Sequence, residues 1–439
     1  MSVSSSSAVA VEPGADPART LGFRDTAGLF GSLGVSLLLP VAATFAVLPG
    51  RSLWVTVLAI VVGAVIGSLL LGLGAAAGAR EGAPTMVLLR GLLGRRLSYL
   101  PTVFNLIQCI GWATFEIFII ATAAAQVLDA PKWPFVLVAG VAATFMAMRP
   151  RGAVRLLARY AVWAALIAGA YLFVEVLRAG PQPLTGDAGS FWTAVDVVIA
   201  MPVSWFPLVA DYTRYTRSGR AAFAGAAVGY GAATIACFLL GALALAAYGA
   251  GGLDVVGALL AVPLGAVALA VLVVVEVDEA FANVYSTAVS AGNIVERIDR
   301  RLLAVVVGAA ATLLALAVDI VSYEPFLFLI GAVFVPLVGV FAIAYFVLPR
   351  GRWDVSATAP ARPWLLLPWA AGFVAYQLTL PTFFPEVGHG WTAWWTARQA
   401  DLGIDAANGW SASLVSLAVA ALLTLLILLP GRRRREVAA

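Results

Sequence analysis

The sequence has little charge for its length. Lys and Arg together number 27 and Asp and Glu 23 in 439 residues, so 11% of the chain is charged, whereas an average soluble domain has about 25%. Apolar residues make up 62%, and the mean hydropathy is +0.97. This composition excludes a water-soluble globule and predicts a protein that is embedded in a lipid bilayer.

Metal-binding side chains are almost as scarce. The sequence has one histidine, His389, and two cysteines, Cys109 and Cys237. Haem, di-iron and structural zinc sites need more His or Cys ligands than these. We therefore expect no resident cofactor, and we expect the two cysteines to be core residues without a disulfide.

What the sequence does contain is a succession of apolar runs separated by short segments rich in Gly, Pro and Arg. At about 20 residues per span, the length accommodates roughly ten to fourteen transmembrane helices. Each run is predicted to be a helix, because a segment in lipid must satisfy its own backbone hydrogen bonds. The predicted spans 1 to 12 are 26–48, 53–77, 100–127, 132–149, 154–177, 191–212, 221–249, 257–290, 302–320, 323–348, 364–384 and 410–430.

The positions of Lys and Arg predict the orientation of these spans. With the N-terminus in the cytoplasm, 23 of the 27 cations fall in cytoplasmic segments, which is the distribution that membrane insertion favours. The four on the outer side are Arg51, Lys132, Arg178 and Arg398. The sequence therefore predicts an all-α integral membrane protein of twelve spans with both termini in the cytoplasm.

Spans 1 and 6 contain helix-breaking residues. Span 1 includes Gly31, Gly34 and Pro40, and span 6 includes Pro202 and Pro207. A simple kink would explain each span alone, since Gly and Pro are common in membrane helices. Positions 1 and 6, however, correspond in two five-helix halves, and paired interruptions are typical of inverted-repeat transporters, whose site lies where the interrupted helices meet.

This interpretation divides the chain into a transporter core with additions at each end. The N-terminal tail is rich in Ser, Ala and Pro and lacks the apolar stretch of a cleavable signal. The predicted divisions are a disordered cytoplasmic tail at 1–21, a ten-helix core at 22–350 with repeats at about 22–178 and 190–350, two additional spans within 351–431, and a basic cytoplasmic tail at 432–439.

Charged side chains in the middle of spans indicate a functional site, because a charge at the bilayer centre costs about 2.5–3.5 kcal/mol on insertion scales. In span 3, Glu116 follows Trp112 by four residues and lies on the same helical face. An aromatic ring and a carboxylate one turn apart could stack on a planar ligand and bond to its edge. The alternative is a glutamate that pairs with a neighbouring helix for structural reasons.

Span 8 has three acidic residues, Glu276, Asp278 and Glu279. Helical spacing places Glu276 and Glu279 on one polar stripe with Asn283, whereas Asp278 points about 100° away from Glu279. Such a cluster suits cation coupling, either by contact with the ion or by uptake of protons. Alternatively, the acidic residues lie near the outer surface and are simply solvated. Within span 8, Asp278, Glu279 and Asn283 are the preferred functional candidates.

Three strings carry a resemblance to a known family: GAREGAPTMVLLRGLLGRRLSYLPTVFNLIQCIGW across spans 2 and 3, VIAMPVSWFPLVADYTRYTR in span 6, and VDEAFANVYSTAVS in span 8. They resemble the nucleobase–cation symporter-1 family, above all its bacterial branch of cytosine and hydroxymethylpyrimidine permeases. The likeness extends over residues 22–350 in order.

The resemblance implies a leucine-transporter-like fold of five plus five inverted helices with two added. The family holds its substrate ring with an aromatic and a polar residue of span 3, a residue of span 6 whose register the sequence leaves open, and an asparagine of span 8. The substrate-binding residues that this implies are Trp112, Glu116, Met201, Ser204, Trp205 and Asn283.

The resemblance also implies a cation site. In the family, sodium joins backbone carbonyls of broken span 1, here assigned to Gly31 and Gly34, to hydroxyl residues of span 8. Asp278 and Glu279 stand at about those hydroxyl positions in this sequence. The coupling ion is therefore open between Na⁺ and H⁺.

The predicted function is import of a pyrimidine-like heterocycle, hydroxymethylpyrimidine or cytosine, by symport with Na⁺ or H⁺ through alternating access in the bacterial cytoplasmic membrane. The predicted partners are the heterocycle, the cation and the bilayer, without nucleic acid. The first alternative is a transporter of the same fold for a purine, a ureide or an amino acid. The remote alternative is an integral-membrane enzyme such as a lipid transferase, which is not expected because no basic phosphate clamp lies beside the acidic residues.

Overall fold

The computed structural model describes residues 18–436 except 149, 250–252, 292–293, 295–298, 349–352, 386–387 and 405–408. Regular structure in this part of the chain is helical, apart from an isolated bridge between Leu21 and Thr216. The helices are α1 (Phe23–Leu33), α2 (Leu38–Ala46), α3 (Leu53–Glu81), α4 (Thr85–Leu93), α5 (Tyr99–Leu128), α6 (Trp133–Met148), α7 (Pro150–Ala179), α8 (Phe191–Ser204), α9 (Phe206–Thr213), α10 (Gly219–Tyr248), α11 (Val255–Leu260), α12 (Gly265–Ala291), α13 (Arg300–Ala317), α14 (Tyr323–Ala342), α15 (Leu366–Thr379), α16 (His389–Asp401) and α17 (Ala412–Glu436).

The predicted all-α membrane fold is confirmed. Each of the twelve apolar runs coincides with a helix or with two consecutive helices, and α4 and α16 lie between runs. Among the described residues, six helical segments are by themselves long and apolar enough to cross a bilayer, and the bent pair α1–α2 makes a seventh. Other predicted spans are shorter or more polar helices. The helices α6, α13 and α15 have fewer than 19 residues, and α12 carries the three acidic residues of span 8.

Span 1 is broken sharply. The axes of α1 and α2 meet at 72°, and Gly34 caps the C-terminus of α1 by donating its N–H to the carbonyl of Phe30 at 3.1 Å. A Cβ atom at Gly34 would lie 2.7 Å from the Cβ of Ala233 on α10, so only glycine allows this close approach. Pro40 lies in the first turn of α2, where it does not remove a hydrogen bond that the helix needs.

Span 6 is interrupted more gently. Trp205 alone separates α8 from α9, and the two helices together form one 23-residue apolar segment. Pro202 lies in the last turn of α8 and Pro207 in the first turn of α9. Because proline has no N–H, these two residues weaken the helical bonding on either side of Trp205. The two predicted interruptions therefore exist, but only span 1 changes direction strongly.

The predicted span 8 is divided where a single helix was expected. The helix α11 ends at Leu260, and α12 starts at Gly265. Between them, Pro263 cannot donate a hydrogen bond and Leu264 has a φ of 53°, which places it in the left-handed region. The acidic residues and Asn283 all belong to α12, so the division does not separate the functional candidates.

Span 12 is joined to the core through a buried carboxylate. Asp196 on α8 is 2% exposed. Its side chain accepts hydrogen bonds from the Ser411 hydroxyl, from the Ala412 N–H at 2.8 Å and from the Ser413 N–H at 3.2 Å. Asp196 therefore caps the N-terminus of α17, where the unpaired N–H groups and the helix dipole favour a carboxylate.

The two predicted tails lie mainly outside the described residues or at their edge. Residues 1–17 of the predicted disordered segment are not described, and Leu21 is held by Tyr215 and Arg217 through backbone hydrogen bonds of 3.0 and 2.9 Å. The helix α17 extends to Glu436 and so includes the first part of the predicted basic tail. Residues 437–439 of that tail lie outside the described part.

Candidate functional site

A cavity lies between the two interrupted spans and helices α5, α10 and α12. The empty space that it encloses, including the open space at its mouth, is about 400 Å³. The lining residues are Leu33, Ser36, Leu39, Gln108, Trp112, Glu116, Met201, Ser204, Trp205, Leu208, Tyr230, Glu279 and Asn283.

All six residues predicted to bind substrate lie at this cavity. Span 3 contributes Trp112 and Glu116, span 6 contributes three side chains around its interruption, and span 8 contributes Asn283. The three from span 6 are Met201, Ser204 and Trp205. The structure thus brings together residues that are up to 171 positions apart in the chain, although their contact with a substrate stays a prediction.

Glu116 and Asn283 form the polar centre of the cavity. The Nδ2 atom of Asn283 donates to both carboxylate oxygens of Glu116, at 2.9 and 3.1 Å. It also donates to the carbonyl of Glu279 at 3.3 Å. A carboxylate can only accept, so these bonds fix the amide of Asn283 with its oxygen turned away from Glu116. Both side chains are buried, and the remaining lone pairs are available to a ligand.

Trp112 is held in place by other rings. Its indole packs edge-on against Tyr323 and Phe326, with ring centroids 6.1 and 5.3 Å away. Edge-to-face packing of this kind orients a ring, because the positive edge of one ring meets the negative face of the other. The indole is only 8% exposed, and it is one of the residues that line the cavity.

The interruption of span 6 places a second indole at the cavity. Trp205 packs against Tyr212 and Tyr230, with centroids 6.3 and 6.1 Å apart. Beside it, the Ser204 hydroxyl donates to the Met201 carbonyl at 2.7 Å. Trp205 is therefore the aromatic side chain that span 6 offers, while the Ser204 hydroxyl has its proton engaged within its own helix.

The four residues predicted to couple a cation are not gathered at one point of the cavity. Of these four, only Glu279 lines it. Gly31 packs against Gly229 of α10, and the Gly34 carbonyl accepts from the Cys237 thiol at 3.7 Å. Among the described residues, no three His, Cys, Asp or Glu side chains are arranged to hold a metal ion. The assignment of Asp278, Glu279 and the two glycines to ion coupling stays a prediction.

Glu276 is the acidic residue of α12 that contacts the break in span 1. One carboxylate oxygen accepts from the Ser36 hydroxyl and the other from the Leu37 N–H, both at 2.6 Å. The side chain is 2% exposed. The sequence pattern places Glu276 on the polar stripe, although Asp278 was the preferred candidate. Its spacing of three and seven residues from Glu279 and Asn283 was the signal that it shares their face.

Gln108, Ser36 and Tyr230 also line the cavity, although they were not predicted as site residues. Gln108 precedes Trp112 by four residues and Glu116 by eight, so helical spacing places all three on one face of α5. Its Nε2 atom donates to the carbonyl of Ser204 at 2.8 Å and to Oδ1 of Asn105 at 2.9 Å. Ser36 and Tyr230 had no such spacing, because they come from the broken segment and from α10.

The sequence of most of the chain matches one known protein family. The sequence model of a family described as permeases for cytosine/purines, uracil, thiamine and allantoin matches residues 15–363. This range includes spans 1 to 10, all the cavity residues and every predicted cation-coupling residue. No match was found among curated protein sequences.

Solved structures show the same fold. The inward-facing conformation of Mhp1 superposes with a TM-score of 0.77 at 16% identity, over 97% of this chain and 94% of that one. A closed conformation of Mhp1, a nucleobase-cation-symport-1 family transporter, with bromovinylhydantoin bound superposes with a TM-score of 0.70 at 16% identity. The match covers 95% of this chain and 94% of that one. A Na⁺-coupled sialic acid symporter in a substrate-bound outward-open state superposes with a TM-score of 0.59 at 10% identity. The match covers 93% of this chain and 90% of that one.

Proposed function

The chain belongs to the family of permeases for cytosine/purines, uracil, thiamine and allantoin, and from this premise we propose that it imports a pyrimidine-like heterocycle by symport with Na⁺ or H⁺. The chain is accordingly a multi-pass membrane transporter and not an enzyme. The proposed substrates are hydroxymethylpyrimidine and cytosine, and the proposed location is the bacterial cytoplasmic membrane with both termini inside.

The observation that carries the proposal is the combination of Trp112 with the hydrogen-bonded pair of Glu116 and Asn283 in one cavity. A flat aromatic surface beside a few oriented polar atoms is the usual way in which a site binds a planar polar ring. The ring would stack on Trp112, and its edge would bond to the oxygen atoms of Glu116 and Asn283. Trp205 would contact the ring from the interruption of span 6.

Alternating access would move the helices around the break in span 1. The contact of Glu276 with Ser36 and Leu37 joins α12 to this break, so a change at α12 can act on the bend between α1 and α2. Transporters of this architecture commonly rock one helix bundle against the other around a central site.

Two observations bear on the coupling ion. A neighbour in fold is a Na⁺-coupled symporter, which supports Na⁺. The acidic residues Asp278 and Glu279, at positions where the family has hydroxyl groups, support H⁺ instead, because a carboxylate can carry a proton across the membrane. Imposing the two gradients separately on proteoliposomes that contain the purified chain distinguishes these ions.

The substrate is tested by uptake of labelled cytosine and hydroxymethylpyrimidine in the same proteoliposomes. We expect saturable uptake of at least one of them, which collapses when the driving gradient is dissipated. Competition by unlabelled uracil, purines and allantoin measures the alternatives that the family description names. Uptake of neither pyrimidine, with transport of a purine or a ureide, would replace the proposed substrate by that compound.

A further inference from the structure

The interruption of span 6 leaves the backbone carbonyl of Ser204 without its helical partner. In a continuous helix the carbonyl of Ser204 would accept from the N–H of Leu208, four residues on. Here the N–H of Leu208 donates to Trp205 instead, at 3.0 Å. The Ser204 carbonyl accepts from the Nε2 atom of Gln108 at 2.8 Å. Gln108 of span 3 thus bonds directly to the backbone of span 6 at the cavity.

This bond determines which way the Gln108 amide points. A backbone carbonyl cannot donate, so the atom of Gln108 that faces Ser204 must be the nitrogen. The second N–H of that nitrogen goes to Oδ1 of Asn105 at 2.9 Å, and the amide of Asn105 donates in turn to Ser290 at 3.1 Å. Both donors of Gln108 are therefore used, and its amide orientation is fixed by two independent partners.

The remaining atom of Gln108, Oε1, is buried and has no hydrogen-bond partner among the described residues. The side chain is 3% exposed and lines the cavity together with Trp112 and Glu116. An unpaired buried acceptor is costly, and native proteins keep such atoms where a ligand or a water supplies the donor. Its position on the face of α5 that carries Trp112 and Glu116 makes the substrate the natural donor.

The neighbouring polar atoms are also acceptors. Asn283 directs its N–H groups at Glu116 and at the carbonyl of Glu279, which leaves its oxygen for a ligand. Glu116 offers carboxylate oxygens only. The polar wall formed by Gln108, Glu116 and Asn283 therefore presents oxygen atoms to the cavity and no side-chain N–H that is free of a protein partner.

We propose that Gln108 is a specificity-determining residue, whose Oε1 accepts a hydrogen bond from an N–H of the substrate. With Glu116 and Asn283 it selects heterocycles that bear N–H donors along the bound edge, and it discriminates against analogues with a carbonyl oxygen or a C–H at the same position. This inference rests on the proposed function, because it assumes that a planar heterocycle occupies the cavity.

The site rejects an analogue without the N–H more strongly than it gains from the N–H of the parent compound. A site built to bond a substrate N–H rejects an analogue that lacks it, because the buried acceptor then stays unpaired. A carbonyl oxygen in place of the N–H faces Oε1 of Gln108 with lone pairs on both sides. Removal of the acceptor from the protein should therefore abolish the discrimination while lowering the affinity for the parent compound.

The test measures dissociation constants of the purified full-length chain for cytosine and for two analogues that each lack one of its two hydrogen-bond-donating groups, the exocyclic amino group or the ring N1–H. The analogues are 2-pyrimidinone, which has hydrogen in place of the amino group, and 1-methylcytosine. The ratio of each analogue's constant to that of cytosine is the penalty for the lost donor. In the wild-type chain we expect at least one penalty of about tenfold or more.

Two substitutions separate substrate contact from a structural role. Gln108→Met keeps the length of the side chain and removes the acceptor, so one penalty should fall to nearly one while the other persists. Gln108→Glu keeps an acceptor, so both penalties should persist, even though its bond to Ser204 is altered. A buried amide outside the cavity provides the control: Gln377→Met on α15 should leave both penalties unchanged.

The outcomes distinguish the inference from the function on which it rests. If the wild-type chain binds cytosine and both penalties in Gln108→Met equal those of the wild type, Gln108 serves only to hold Ser204 and the inference is wrong. Equal loss of selectivity in Gln108→Glu and Gln108→Met would overturn it as well. If the wild-type chain binds no heterocycle of the family's range, the proposed function fails, and the inference fails with it.

Discussion

Glu276 accepts a hydrogen bond of 2.6 Å from the hydroxyl of Ser36, although the two residues are 240 positions apart. The same carboxylate accepts from the N–H of Leu37, the residue before α2 begins. The N–H groups at a helix start lack partners within the helix, and a carboxylate stabilises them. Glu276 therefore acts as the cap of the second half of span 1, supplied by span 8.

Replacement of this cap should affect stability and transport together. We expect Glu276→Ala to lower the free energy of unfolding by about 1–3 kcal/mol, because it leaves the buried groups of Ser36 and Leu37 without an acceptor. Glu276→Gln keeps one acceptor oxygen and should cost less. Thermal unfolding of the purified variants measures the difference. Equal stability of Glu276→Ala and the wild type would show that the cap does not support the break.

The close approach at Gly34 gives a second prediction. A methyl group at this position would lie 2.7 Å from the Cβ of Ala233, so Gly34→Ala forces α1 away from α10 or changes the bend. Crowding of this kind costs about 1–3 kcal/mol. We expect lower thermal stability and slower uptake.

The matched control for Gly34→Ala lies on the same helix. A Cβ at Gly28 would have no atom within 4 Å, so Gly28→Ala should leave stability and uptake close to wild type or slightly raise stability, since alanine favours helix. If the two variants behave alike, the contact with Ala233 does not determine the geometry of span 1.

The cap on α17 predicts an effect on stability that is separate from substrate binding. Asp196→Ala removes the acceptor for Ser411, Ala412 and Ser413. We expect the free energy of unfolding to fall by about 2 kcal/mol, measured as a lower unfolding temperature. The substrate dissociation constant should stay within about twofold of wild type, because Asp196 does not line the cavity. A large loss of affinity at unchanged stability would contradict this division of roles.

The pair of Glu116 and Asn283 predicts unequal losses of substrate affinity for two conservative changes. Glu116→Gln can still accept from Asn283 through its one oxygen, so the chain should fold and bind with reduced affinity. Asn283→Asp places two carboxylates face to face in a buried cavity, where like charges repel strongly. We therefore expect Asn283→Asp to lose substrate binding by tenfold or more, about 1.4 kcal/mol, as measured by equilibrium binding. Affinity in Asn283→Asp equal to that in Glu116→Gln would contradict the geometry of the pair.

Much of this architecture could be predicted from the sequence, because lipid imposes simple rules on a chain. Apolar runs and cation positions were sufficient for the spans, and Gly34 indicated the break of span 1. A mid-span carboxylate beside an aromatic residue indicated the cavity at Trp112 and Glu116. These signals are local, since each depends on residues within one or two helical turns.

Other features depend on contacts that helical spacing does not reveal. Which acidic residue of α12 contacts the break in span 1 depends on the rotation of α12 relative to that span, which only tertiary packing determines. The cap by Asp196 joins span 6 to a helix more than 200 residues later. Pro263 lies within an apolar run that was predicted as one helix, although Leu264 has a positive φ there. The unpaired Oε1 of Gln108 could be recognised only when the partners of its nitrogen were known.

Binding of a planar heterocycle against Trp112 and Asn283 is tested by uptake in two variants. Labelled cytosine and hydroxymethylpyrimidine are offered to proteoliposomes that contain wild-type chain, Trp112→Ala or Asn283→Ala, with Trp394→Ala as a control indole that is 54% exposed and remote from the cavity lining. We predict that both cavity variants lower uptake at least tenfold, while the control transports normally. Normal uptake by both cavity variants, in correctly inserted protein, would contradict the account.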